Sequence, residues 1–434
     1  PRQMLRSLQA EKLRELENSW SQEYDRLVNL SGTDRLNLDL SRGKPSPEQL
    51  ELSNPLASNL EPNELIAGSG IDTRNYGELS GIPEAKRLGA TIMGVPEDEI
   101  IAAGNSSLTL MYITLSTAMK KGLWGDTRKW ENSSSPKVLA PVPGYDRHFT
   151  MSEFFDLQMI NIDYTDQSLD TDQIAQAVSQ DNSVKAIWCV PKYGNPTGIT
   201  LPDETVEFIA DLPNMAAAND FVVLWDNAYA VHDLSPRMDT LASIREAALS
   251  KGTLDHIVQF ASTSKITFAG AGVGFLSASN TVRSEILKYL SILTVGPDKV
   301  NQLRHARFLD NKLETHMSAH ADILRPKFDL VSKILEEELS DLAIADWTKP
   351  NGGYFVSFDV MDGLAKEIVH LAKDVGLTLT PAGATFPYGI DPKDKNIRIA
   401  PTFAKLSELE SAMKVLTLCT KLASARKILN QGRL

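Results

Sequence analysis

Four short segments carry residue types that can do chemistry, and each follows an apolar run. In FASTSKITFAGAGVGF, residues 260–275, Lys265 lies between Ser262, Thr263 and Ser264 and a small-residue run containing Gly270, Gly272 and Gly274. A lysine with so little neighbouring side chain is poorly placed for an ordinary solvated surface. The run FVVLW ends in Asp226, with Tyr229 three residues on, and VKAIWCV leads into PKYGNPTG, which contains Asn195. EIIAAG leads into Gly104-Asn105-Ser106-Ser107 at the start of a helical pattern. Alone, each signal has a plain alternative. An acid after a strand often caps the next helix. Asn-Pro-Thr-Gly reads as a turn. The serines read as an N-cap, although a helix start is also an anion site.

The elements that must position these residues follow a regular pattern. From about residue 98 to 280, seven apolar runs alternate with helical stretches: EIIAAG, KVLAPVP, DLQMINIDY, VKAIWCVP, FVVLWD, HIVQFAS and GVGFLSAS. Runs of this kind predict an α/β fold with a mostly parallel, seven-stranded sheet covered on both faces. Ligands of such sheets bind at the carboxyl ends of the strands, where the four segments lie. The 434 residues are too many for one compact core. The expected division is an N-terminal helix and arm over 1–50 packing with a small domain, a large domain over 51–325, and a small α+β domain over 326–434. A long helical pattern from Asn301 to Leu339 is expected to break at Pro326.

Taken in order, these segments, with Tyr145 in PVPGYD, Tyr76 in RNYGELSG, SRGKP at residues 41–45 and NIRIAP at 396–401, resemble the fold-type I pyridoxal 5′-phosphate (PLP) enzymes. The resemblance is to the class I, aspartate-aminotransferase-like branch, with a likeness to the aminotransferase domains of MocR-type regulators, and it covers nearly the whole chain. It implies PLP as cofactor and an aminotransferase activity. Lys265 would hold PLP as a Schiff base and serve as general base, Asp226 would pair with the pyridine nitrogen, and Asn195 and Tyr229 would bond its phenolic oxygen. Tyr145 would stack on the ring, and Ser106, Ser107, Ser262 and Ser264 would hold the phosphate. Tyr76 would reach the phosphate of a partner subunit, which implies a homodimer with shared sites. Arg398 would bind the substrate α-carboxylate, with Asn195 and the backbone of Gly43 lining the same pocket.

Two positions depart from the pattern. Read without a gap, Gly272 occupies the place of the family's phosphate-binding arginine. Where dicarboxylate-selective members carry a distal-carboxylate arginine, SILTVGPDKVNQLRHAR offers Thr294 and Val295, with Lys299 and Arg304 out of register.

The composition limits partners. Lys and Arg number 44 against 56 Asp and Glu, a net charge of −12, which argues against a nucleic-acid surface. No stretch is long and apolar enough for a membrane span. Cys189 and Cys419 sit in apolar settings and read as buried thiols of a reducing cytoplasm; no metal site is expected. The leading expectation is transfer of the amino group of aspartate to 2-oxoglutarate by a ping-pong cycle. The alternatives are a PLP-dependent β-lyase or decarboxylase and a non-catalytic ligand-sensing domain.

Overall fold

The structure, a computed structural model, describes residues 4–432. Its main sheet has eight strands. In spatial order they are Ile100–Ala102, Gly274–Ser277, Ile257–Ser262, Val222–Asp226, Val184–Cys189, Lys137–Val142, Gln158–Thr165 and Ser168–Leu169. Gly274–Ser277 and Ser168–Leu169 run against the other six. The seven apolar runs are the seven longer strands. The eighth, two residues long, returns through Asp166 and Gln167, both at positive φ, a hairpin turn that hydrophobic periodicity does not report.

Alternate strand residues enter opposite cores, as the two-residue period of a strand requires. Ala186, Trp188, Val222, Leu224, Val258 and Phe260 pack on one face with helix Ser107–Lys120. Ile187, Cys189, Val223, Trp225 and Ile257 pack on the other with helices Thr171–Gln180 and Asp203–Met215. Full burial of each Val, Leu, Ile or Phe among these contributes about 1.5–3 kcal/mol. The central strands are thus held on both faces, and their carboxyl ends form a rigid rim. Both cysteines are buried and free, and burial pushes the Cys419 thiol up to about 12.

A second core joins the chain's two ends. Leu5, Leu13, Tyr24, Leu38 and Leu40 share it with strand Val356–Val360 and helices Ala365–Val375 and Leu406–Gln431. The arm Leu38–Asp39 pairs in parallel with Leu377–Thr378, and strands Ala345–Trp347, Val356–Val360 and Asn396–Ile399 form an antiparallel sheet. The long helical segment does not break at Pro326. It breaks at Asp310–Lys312, where Asn311 has a φ of 55°, between helices Lys299–Leu309 and Leu313–Leu339. Proline removes one backbone bond, and the buried contacts of Leu324, Phe328 and Val331 around it keep the helix continuous.

Candidate active site

The rim of the main sheet carries a cavity of about 140 Å³. Asp226 and Ser262 are the last residues of their strands, while Tyr145 and Asn195 stand a few residues beyond theirs. Together with Ser106, Ser107, Tyr229, Ser264 and Lys265 they line this one cavity, so nine of the twelve sequence-predicted site residues converge here. Ser107 opens helix Ser107–Lys120, and the Ser106 hydroxyl makes no cap bond to the backbone but meets Thr109 Oγ1 at 3.4 Å, so the helix start lies at the cavity that both serines line with its first amides uncapped by Ser106. Ser262 Oγ donates to Ser264 Oγ at 3.1 Å and accepts from Ser264 N at 3.3 Å, which fixes the turn before Lys265.

The Lys265 amine lies over the rings of Tyr229 (5.3 Å) and Tyr354 (5.7 Å). Burial holds its pKa below the usual lysine range; Asp226 pulls it upward and Arg398 pushes it down. Burial likewise raises the Tyr145 and Tyr229 phenols, and the Asp226 carboxylate adds to both shifts. Asp226 Oδ2 bonds His148 Nε2 at 2.8 Å, whereas Asp226 Oδ1 is buried with no partner. Asn195 Oδ1 is a second such orphan, and Arg398 Nε a third. Orphaned polar atoms are costly in a finished interior, and two of them on the wall of one cavity, Asp226 Oδ1 and Asn195 Oδ1, mark a ligand site.

Arg398 does not line the cavity wall but stands close enough to act on it. It lies on the edge strand Asn396–Ile399, opposite Ser357, half-buried, with its guanidinium 4.5 Å from the Phe355 ring centre. Its Nη2 donates to Ser41 O at 3.1 Å, which fastens it to the arm segment that contains Gly43. A side chain at Gly43 would meet Phe355 at 2.4 Å, so glycine there lets the arm close on the ring beneath Arg398. The field of Arg398 reaches both Tyr145 and Lys265.

Gly272 marks a close approach of backbones. A Cβ there would lie 2.9 Å from Thr263 Oγ1 and 3.3 Å from Asn105 O. The Thr263 hydroxyl accepts from Val273 N at 2.9 Å, and Asn301 Nδ2 donates to the carbonyls of Ala271 and Gly272. The glycine thus packs the Lys265 turn against the serine-bearing helix start. Among the described residues, Lys265 is the one cation lining the cavity.

Tyr76 lies outside the cavity and is 81% exposed. Lys299 and Arg304 are committed elsewhere, to Gly77 O and Asn301 Oδ1 respectively. His148 is a site residue that the sequence reading missed. It stacks on Trp188 at 4.1 Å and meets the Tyr145 ring edge-on. The available signal was its place three residues after Tyr145, on the first turn of helix Asp146–Phe154.

The sequence profile of the aspartate amino-transferase family matches residues 9–432. The aspartate aminotransferase of Corynebacterium glutamicum is 37% identical over 428 residues, covering 98% of each chain. A crystal structure of an aspartate transaminase from that organism superposes with a TM-score of 0.93 at 36% identity, over 99% of this chain and 100% of that one. At 19% identity, the α-aminoadipate aminotransferase of Thermus thermophilus, solved with N-(5′-phosphopyridoxyl)-L-leucine, shares the fold with a TM-score of 0.73, covering 94% and 99%. A match across almost the entire length, with the lysine, aspartate and asparagine at the rim of the same sheet, has one reading: the chain belongs to the aspartate aminotransferase family.

Proposed function

We propose that this aminotransferase moves the amino group of aspartate to 2-oxoglutarate, yielding oxaloacetate and glutamate, in a two-half ping-pong cycle on PLP. The observation that carries the reading is the Lys265 amine sharing a buried cavity with the unpartnered Asp226 oxygen.

The orphaned atoms fit this cofactor. A buried carboxylate oxygen without a donor suits a pyridinium N–H, and the charge of Asp226 would keep that nitrogen protonated. Asn195 and Tyr229 would hold the phenolic oxygen, Tyr145 would face the ring, and Ser106, Ser107, Ser262 and Ser264 would hold the phosphate. When bound, PLP supplies an electron sink for the pair left by the substrate's Cα proton. Burial lowers the Lys265 pKa, which favours the uncharged amine that would take the Cα proton and return it. Arg398 would orient the substrate through its α-carboxylate, using the unpartnered Nε and the end already steadied by Ser41.

Aspartate carries a second carboxylate, which calls for a second cation. This reading assigns it to Arg147, two residues past Tyr145. Arg147 is exposed, and its guanidinium has no hydrogen bond or ion pair among the described residues. It lines a groove of about 450 Å³ whose wall includes Leu108, and Leu108 also lines the site cavity. The reading includes a homodimer with shared sites. Exposed Tyr76 adjoins exposed Val295, because Gly77 N bonds Val295 O, and exposed Ile292 and Leu293 precede that loop. An apolar patch of this kind suits burial by a second copy.

Initial rates over crossed concentrations of aspartate and 2-oxoglutarate test the cycle. Parallel double-reciprocal lines support it. Pyruvate or alanine formed from aspartate without a keto-acid acceptor would replace it with a lyase or decarboxylase.

A further inference from the structure

Beneath the cavity lies a hydrogen-bonded cluster that none of the roles above uses. The Ile266 carbonyl, one residue past Lys265, faces three donors. His316 Nε2 stands at 2.6 Å, His320 Nε2 at 2.8 Å and Ser53 Oγ at 3.4 Å. A carbonyl only accepts, so both imidazoles carry their proton on Nε2. His320 Nδ1 is 3.0 Å from Gln49 Nε2. The Gln49 carbonyl oxygen is taken by Ser46 N at 3.0 Å, so its amide group is the donor to both His320 Nδ1 and Tyr354 Oη, the latter at 2.9 Å. Every polar atom of this buried glutamine therefore has one consistent assignment.

The cluster reaches Lys265 at both ends. Through Tyr354 it fixes the ring over which the amine lies, and through His320 and His316 it fixes the adjacent backbone. Both histidines are drawn towards the neutral form by burial, His320 to about 4, which preserves the assigned tautomers at neutral pH. Three separate elements contribute: helix Pro47–Glu51 and the residues flanking it, the first turns of helix Leu313–Leu339, and the segment before strand Val356–Val360.

We propose that Gln49, His316 and His320 are positioning residues for Lys265, a clamp that holds the lysine turn and the tyrosine under its amine in working register. The inference rests on Lys265 being the amine that works with the cofactor, and it is independent of which amino acid is the substrate.

Its test uses three variants, His320→Ala, His320→Gln and Gln49→Leu. A glutamine at 320 can present its amide N–H near the place of Nε2. In the cofactor-loaded enzyme, His320→Ala is expected to lower kcat about tenfold or more while KM changes less than about threefold, since a small misplacement of a reacting group costs this order. His320→Gln is expected to recover kcat to within about threefold of the parent. The pH at which the visible band of the bound cofactor titrates is expected to move in His320→Ala and Gln49→Leu and to return in His320→Gln. In the apoenzyme, hydrogen exchange is expected to accelerate in the 263–267 turn, whose Ile266 and Thr267 amides bond Thr263 O. Acceleration confined to helix Leu313–Leu339, with the turn and the band titration unchanged, would reduce the cluster to a helix support and overturn the proposal. Gln49→Leu keeps both imidazoles and is the variant to use if His320→Ala does not fold. Exchange in the apoenzyme is independent of turnover, so it separates failure of this inference from failure of the aspartate reading.

Discussion

His148 Nε2 lies 2.8 Å from Asp226 Oδ2, and both side chains are 2% exposed. The pair is fixed by the stack of His148 on Trp188, whose indole N–H donates to Ser152 Oγ, itself donating to His148 O. With one carboxylate oxygen so held, the other faces the cavity alone. Replacing Asp226 by Asn keeps the shape and removes the charge. A fall in kcat of about 10³-fold or more and faster loss of the cofactor on dialysis are expected, while His148→Asn costs about tenfold. Equal losses in the two variants, by steady-state kinetics, would mean that the histidine does more than hold the carboxylate.

The two arginines are expected to separate two carboxylates. Arg398→Lys should raise KM for every amino-acid substrate by about tenfold or more, because an ammonium does not reproduce the guanidinium fork. Arg147→Ala should lower kcat/KM for aspartate and glutamate by about 10–100-fold and change that for alanine less than about threefold. A uniform loss across acidic and neutral substrates would remove Arg147 from the distal-carboxylate role.

The proposed homodimer with shared sites makes a prediction for hybrids. On that proposal, Lys265→Ala and Tyr76→Ala are each expected to lower activity when assembled alone. If Tyr76 serves its partner's site, a hybrid of the two has one doubly damaged site and one intact one. Random reassociation gives half hybrids, so activity of the mixture should rise to about a quarter of the parent value. A mixture no more active than the average of its components would place Tyr76 in its own subunit's affairs.

The buried histidines should make stability depend on pH. Burial lowers His232 to about 3, His305 to about 4 and His320 to about 4, from an ordinary value of 6.5. Between about pH 6.5 and 4 the unfolded chain binds protons that the folded chain refuses. The stabilisation is therefore complete above 6.5 and is lost as the pH falls towards 4. At pH 5 the loss is of the order of 2 kcal/mol for each histidine. Urea unfolding of the apoenzyme should show a lower midpoint at pH 5 than at pH 7, and an unchanged midpoint would contradict these shifts.

The strand ends were legible because buried parallel strands leave a strong apolar signal, and such sheets bind ligands at one rim. Lys265, Asp226, Asn195 and the serines followed from that rule together with the family resemblance. His148 was not legible because its role depends on a stack with Trp188, forty residues away in sequence. The Gln49–His320 contact joins residues 271 positions apart, so no local pattern could report it. Pro326 misled for the opposite reason: a strong local signal was outweighed by tertiary packing around the helix. The glycine run showed where an arginine was absent, but only the approach of Asn105 and Thr263 to Gly272 gives a physical reason for glycine there.

Lys265 and Asp226 are proposed to run a reversible amino-group exchange with aspartate. The most direct measurement is the absorbance of the purified, cofactor-loaded protein, first with aspartate alone and then with 2-oxoglutarate. Loss of the visible band on adding aspartate, with one oxaloacetate released per site, and its return on adding 2-oxoglutarate is the predicted result. A band that does not respond to aspartate, or one that responds while the protein keeps turning aspartate over with no keto acid present, would contradict the account.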